Sequence, residues 1–170
     1  MTEDEDLLLA VLNSAPVVGG TRTEQLAGAP GRALARRFDG TGSPDELEHL
    51  RGVRDALQDL VRGHDTTSTL NALLDGAALV PEATPTGLEW TLTTPPDRRL
   101  AVRVALAWSR VEQEAPGRLR ACANAECNLF LVDHSRPGTA KWCSMAVCGN
   151  RIKSRTYAGR KRTTPPRKPA

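Results

Sequence analysis

Residues 122–148 read CANAECNLFLVDHSRPGTAKWCSMAVC, and every cysteine of the 170-residue chain lies in this stretch: Cys122, Cys127, Cys143 and Cys148. The spacing is C-x4-C-x15-C-x4-C. Two close pairs separated by a hairpin-sized gap can bring four soft thiolates to tetrahedral positions about 2.3 Å from one zinc ion, leaving no coordination site for water. Such a closed site is structural. The competing readings are two disulfides or four unrelated buried cysteines. Disulfides are disfavoured where no export signal is seen, and chance clustering of all four is improbable. His134 lies between the pairs, but four cysteines already fill the coordination sphere, so it reads as a polar surface residue.

The gap between the pairs carries its own signals. Asn128 to Val132 is rich in strand-forming residues, Ser135-Arg136-Pro137-Gly138 is a turn, and Lys141-Trp142 is expected to begin a return strand. The second pair then opens a helix, from about Met145 to Ala158, with Gly159 as its carboxyl cap. Knuckle, hairpin and ligand-bearing helix describe a treble-clef-like zinc finger. A module this small cannot bury an adequate core, so Phe130 and Trp142 read as a mini-core supplemented by the metal.

Upstream, the periodicity is mostly helical. Glu3 to Ser14 places Leu7, Leu8, Val11 and Leu12 on one face, and Pro16, Gly19 and Gly20 end it. Between Arg22 and Phe38, the residues Gly28, Pro30 and Gly31 imply two short helices or one helix and a loop. Ser43-Pro44-Asp45-Glu46 sets a capping hydroxyl, a first-turn proline and a capping-box glutamate in register before a helix to about Arg62. Asp65 is the expected cap of the next helix, with Leu70, Leu73, Leu74, Ala77 and Ala78 as its buried face up to about Gly76 or Ala78. Leu79 and Val80, then Leu88, Trp90 and Leu92, read as a hairpin around Pro85-Thr86-Gly87. A long helix follows from Asp97 to about Glu114, closed by Pro116-Gly117. The fold class expected is α+β: a mostly helical amino-terminal domain with a small antiparallel sheet over 1–116, the zinc finger over 117–162, and a disordered basic tail over 163–170.

Charge divides the chain at the same boundary. The total is +3, yet residues 1–115 hold 11 basic and 18 acidic side chains, whereas residues 116–170 hold 12 basic and 2 acidic. A segment near +10 implies an anionic partner. Converting four thiols to thiolates around one dication lowers the chain to about +1 and this segment to about +8. No apolar run approaches the ~18 residues that span a bilayer, so no membrane partner is expected. Four acidic residues among the first six are unlike a secretory signal, and the expected location is cytoplasmic. No glycine-rich phosphate loop, nucleophile elbow or paired-histidine motif is present, so no enzymatic activity is expected. His49 and His64 read as surface residues.

Cys148-Gly149-Asn150-Arg151, preceded by Trp142-Cys143-Ser144-Met145, resembles the CGNR zinc finger over about Leu119 to Arg162. Lys153, Arg155, Tyr157, Arg160 and Arg162 fall where that family places basic or aromatic residues, while Ala158 departs from its pattern. Leu70 to Leu74 and the helix before them resemble the ABATE domain that accompanies this finger in bacterial proteins. The resemblance implies a stress-induced transcription regulator.

The residues themselves support nucleic-acid contact. Ile152 and Thr156 follow Cys148 at four-residue steps and are expected to face the finger's interior, which would leave Arg151 and Arg155 on one outer face and Lys153, Tyr157 and Arg160 on another. Arg160 and Arg162 continue the basic run. Arg151 and Arg155 are candidates for base edges because a guanidinium fork matches guanine O6 and N7; a structural role for Arg151 is the alternative. Asn150, next to a ligand, is expected to hydrogen-bond thiolate sulfurs or loop carbonyls. The expected function is a DNA-binding transcription regulator. RNA binding, or a protein-interaction zinc module with a ligand-sensing or partner-binding amino-terminal domain, is the alternative.

Overall fold

The computed structural model describes residues 2–64, 66–150 and 152–154. Three helices build the body: α1 (Glu3–Leu12), α3 (Pro44–Val61) and α5 (Pro96–Glu114), which pack on one another, with α2 (Gly28–Arg37) and α4 (Thr67–Leu74) set against α3. Their shared core holds Leu7, Leu8, Val11, Leu12, Leu50, Val53, Leu57, Leu100 and Val104. The apolar stripes read from the sequence are thus the faces that meet. Among the described residues, no helix is long and apolar enough to cross a membrane.

Local chemistry sets the helix starts. Thr2 Oγ1 accepts from the Glu5 backbone N–H at 3.3 Å, and the first turn of α1 is wholly acidic, matching the positive end of the helix dipole. At α3, Ser43 Oγ accepts from Glu46 N at 3.1 Å. The Glu46 carboxylate reaches past the cap to accept from Gly42 N at 2.6 Å and Thr41 Oγ1 at 3.1 Å. Gly28 and Pro30 fall in the first turn of α2, where a proline's missing N–H has no partner to lose; the stretch is one helix preceded by a loop. The expected cap Asp65 lies outside the described residues.

Among the described residues, three two-stranded antiparallel sheets complete the fold. β1 (Val17–Val18) and β2 (Thr21–Arg22) flank Gly19 and Gly20, whose φ values of +59° and +84° suit a two-residue hairpin turn. Arg54 ties this region to α3. It is 2% exposed, donates to Glu24 Oε1 at 2.7 Å, Asp55 Oδ1 at 2.9 Å and Ser14 Oγ at 3.2 Å, and leaves no charge unpaired. β3 (Ala78–Thr84) and β4 (Gly87–Thr93) form the expected hairpin. β5 (Leu119–Ala121) pairs with β6 (Phe130–Val132) across the first cysteine pair.

Several details differ from the sequence expectation. Helix α4 ends at Leu74, so Ala77 and Ala78 lie beyond it and Ala78 opens β3, exposed. The segment expected to open as a helix at Met145 does so as a π-helix, Met145–Gly149. The return strand at Lys141-Trp142 does not form, because β6 pairs back to β5. The Asp133 carboxylate meanwhile takes up the backbone N–H groups of Ser135 and Ala140, each at 2.9 Å, rolling residues 133–140 into a loop. Phe130 is no private mini-core of the finger: at 2% exposure it joins Leu119 in the same hydrophobic cluster as α1, α3 and α5.

Candidate metal centre

The four cysteine sulfurs lie within 4.8 Å of one another, and all four cysteines are free of disulfides. Cys127 Sγ is 3.6 Å from Cys143 Sγ, which is 3.7 Å from Cys148 Sγ. The edge of a tetrahedron with metal–sulfur bonds of about 2.3 Å is about 3.8 Å, so these separations fit one zinc ion. They are far beyond the ~2.05 Å of a disulfide.

Short backbone links hold the sulfurs in place. The first pair sits on a turn in which Cys127 N donates to Asn124 O at 2.8 Å and Cys122 N to Leu129 O at 2.8 Å. In the second pair Cys143 precedes, and Cys148 sits on, a π-turn, Met145–Gly149, in which Cys148 N and Gly149 N both donate to Ser144 O, at 3.0 and 3.1 Å. The halves meet where Ala123 N donates to Lys141 O at 2.8 Å. Gly149 lies close to two side chains: a Cβ there would fall 2.7 Å from Met145 Sδ, the end of a flexible and exposed side chain that would have to shift, and 3.3 Å from Trp142 Cδ1.

The donor set by itself is electrostatically frustrated. Burial pushes the Cys143 thiol well above its ordinary range, and the surrounding thiols add to the rise. Cys127 is pushed up first by burial as well. Burial also works against ionising Cys148, but hydrogen bonds from the Asn124 amide and neighbouring thiols outweigh it and lower the thiol overall. A dication is what lets all four sulfurs ionise together.

Asn124 is a residue that sequence reading missed. It is 2% exposed, its Nδ2 donates to Cys148 Sγ at 3.5 Å, and its Oδ1 accepts from Glu126 N at 3.3 Å, so one side chain closes the first turn and supports a ligand of the second. Of the two roles open to Asn150, the structure favours the loop carbonyl: exposed, it donates to Ala146 O at 3.4 Å. Asp133 was also missed, although Asp-x-Ser is the pattern of an Asx turn. Hydrogen bonds from Ser135 hold its buried carboxyl below the usual range, aided by Ala140 N and the nearby Arg118.

Lys153 is exposed on the segment after the π-turn. Arg151, Arg155, Tyr157, Arg160 and Arg162 lie outside the described residues. Arg118 and Arg120, part of the basic segment, are occupied elsewhere: Arg118 Nη1 donates to Ser135 O at 2.7 Å and Arg120 Nη1 to Gly138 O at 2.9 Å, binding the 133–140 loop to β5.

The finger is clamped to the helical body through its first half. Asn13, at the end of α1, exchanges two hydrogen bonds with the Phe130 backbone: its Oδ1 accepts from Phe130 N at 2.7 Å and its Nδ2 donates to Phe130 O at 3.2 Å. Asn128 Nδ2 donates to Ala15 O at 2.9 Å. Arg62 bonds Asn128 Oδ1 and places its guanidinium 4.8 Å from the centre of the Phe130 ring. His134, as expected a surface residue, also meets Glu5 Oε1 at 2.7 Å.

Residues 118–161 match the family model of the CGNR zinc finger. The match covers both cysteine pairs, β5, β6 and the basic segment beyond the π-turn, and the sulfur geometry of this finger is what its closed zinc site requires. No curated protein matches the chain.

Proposed function

We propose that this chain is a cytoplasmic, non-enzymatic transcription regulator of the bacterial stress-response kind, and that its finger binds duplex DNA. The observation that carries the reading is the CGNR-type zinc finger, whose four sulfurs are gathered for one metal ion and whose continuation is strongly basic. In this reading the metal rigidifies the turn from which Lys153 and the residues after it project. Arg151 and Arg155 reach base edges, while Lys153, Arg160 and Arg162 track phosphates with Tyr157 among them. Residues 1–116, with their resemblance to the ABATE domain, receive the signal. A cleft of about 470 Å³ beside Thr41, Thr94, Arg99 and Arg103 is where a small effector would seat.

The test is fluorescence anisotropy of the zinc-loaded chain on duplex DNA at stepped salt. Affinity should fall steeply with salt, and Arg155→Ala should reduce the magnitude of the log–log slope by about 0.9 if it neutralises one phosphate. Absence of salt-dependent binding overturns the reading. Tighter binding of structured RNA at the same salt transfers it to RNA.

A further inference from the structure

The β3–β4 hairpin has two unlike faces. Leu79, Pro81 and Ala83 share one with Leu88, Trp90 and Leu92, while Glu82, Thr84, Glu89 and Thr91 mark the other, where Val80, opposite Thr91, is the large apolar exception. The apolar face leans on α5 at its base, where Leu79 and Leu92 approach Val102 and Leu106, and Trp90 lines an open cleft with Leu106, Ser109, Arg110 and Gln113 of the same helix. Farther out, Leu88 is 62% and Trp90 59% exposed. Two strands alone make a marginal sheet in water, and more strands or further packing are what stabilise one.

The two edges of the hairpin are not equivalent. The register closes at Thr84 opposite Gly87 across the two-residue turn Pro85-Thr86 and pairs Pro81 with Trp90. A two-residue turn makes its flanking pair hydrogen-bonded. Pairs then alternate along the ladder, so at Pro81 and Trp90 the backbone polar groups point away from the partner strand. On β3 that outward position holds a proline, which offers no N–H to a newcomer. On β4 the outward positions are Leu88, Trp90 and Leu92, with every N–H and C=O intact, and among the described residues no strand pairs with this edge.

We propose that β4 pairs antiparallel with β4 of a second copy of this chain, about a two-fold axis at Trp90, forming one four-stranded sheet. The pattern is self-complementary in this register. Leu88 falls opposite the partner's Leu92, and the outward backbone groups of the two strands meet. Glu89 falls opposite the partner's Thr91, so no carboxylate faces another across the seam. An axis perpendicular to the sheet keeps both apolar faces on the side that carries α5, and the two helices then back one continuous sheet. The seam adds one strand pair between the copies and little else, so the association is expected to be weak and reversible.

Sedimentation equilibrium of the full-length, zinc-loaded chain, from micromolar to near-millimolar concentration, tests this. A reversible monomer–dimer equilibrium is expected. Thr91→Glu sets a carboxylate against the partner's Glu89 twice per dimer and should weaken association roughly three- to tenfold; Thr91→Lys should strengthen it by a similar factor. Position 91 is exposed on the polar face, so both variants keep the apolar packing. Combining Glu89→Lys with Thr91→Glu restores opposite charges across the seam and should recover the dimer. A monomer at every concentration overturns the proposal, as does a dimer whose strength ignores the charge at position 91.

Discussion

The helical body and the finger reach order by opposite means. In the body, leucine and valine stripes from three helices interlock around a dry core, and its one fully buried cation, Arg54, is neutralised by Glu24 and Asp55. Among the described residues, the finger contributes little more than Leu119, Phe130 and Leu131 to burial among apolar side chains other than its cysteines, and its coherence depends on four sulfurs. The boundary between these regimes runs inside the finger. Its first half, β5 to β6, is bolted to α1 and α3 by Phe130, Asn13, Asn128 and Arg62. Its second half, from Lys141 on, is joined to the first by the Ala123–Lys141 bond, the Asn124–Cys148 contact and the sulfur cluster.

The strongest way to break this contrast is to remove the metal. Structural zinc supplies about 10 kcal/mol or more in small fingers, so chelation, or Cys143→Ser, should unfold the segment over about 140–154. Hydrogen exchange should show protection lost there and kept in α1, α3 and α5. Protection in β5 and β6 is expected to fall only partly, because the body still holds Phe130. Loss of all helical signal on chelation would refute the contrast.

A smaller blow from the other side is Phe130→Ala. Truncating a buried phenylalanine costs about 3–5 kcal/mol. Because this ring lies in the body's core and under Arg62, denaturant unfolding of the helices should show the loss, with zinc stoichiometry kept at one. A mini-core belonging to the finger alone would leave the helical transition unmoved.

What the sequence made legible follows from how local each determinant is. The cysteine spacing, the Ser43-Pro44 cap and the alternation from Leu79 to Leu92 are short-range patterns, and each corresponds to an observed element. The clamp was illegible because Asn13 and Phe130 stand 117 positions apart, and an asparagine after a helix reads as an ordinary end signal. Asn124 and Asp133 look like turn residues until the fold brings Cys148 and Ala140 to them. The β1–β2 hairpin, two residues per strand, is too short for a period to register.

Asn13→Ala tests the clamp at the next level down. It strips both partners from the Phe130 backbone at a half-buried site, where an unsatisfied pair costs about 1–3 kcal/mol. Asn13→Asp keeps the acceptor for Phe130 N but loses the donor to Phe130 O, so it should fall between the wild type and Asn13→Ala in thermal denaturation. Equal stability of all three would remove Asn13 from the clamp.

The smallest effect separates the regions by pH. Glu24 and Asp55 are buried enough for desolvation to raise their carboxyls, yet Arg54 hydrogen bonds and charge bring both below their ordinary values of 4.5 and 3.8. A depressed folded value means the stabilisation is complete above the unfolded value and fades as pH falls through the folded one. The body should therefore hold its stability down to about pH 5 and lose it progressively below pH 4. Both groups are more than a third exposed, so solvent screening keeps the contribution of each to about 1 kcal/mol or less. Glu24→Gln should flatten the acid limb of the urea-denaturation profile by that amount without moving the pH at which zinc is released, because Glu24 contacts Arg54 and Leu26 and no part of the sulfur cluster. A shift in zinc release with this substitution would mean that the buried Arg54 network and the metal centre titrate as one unit.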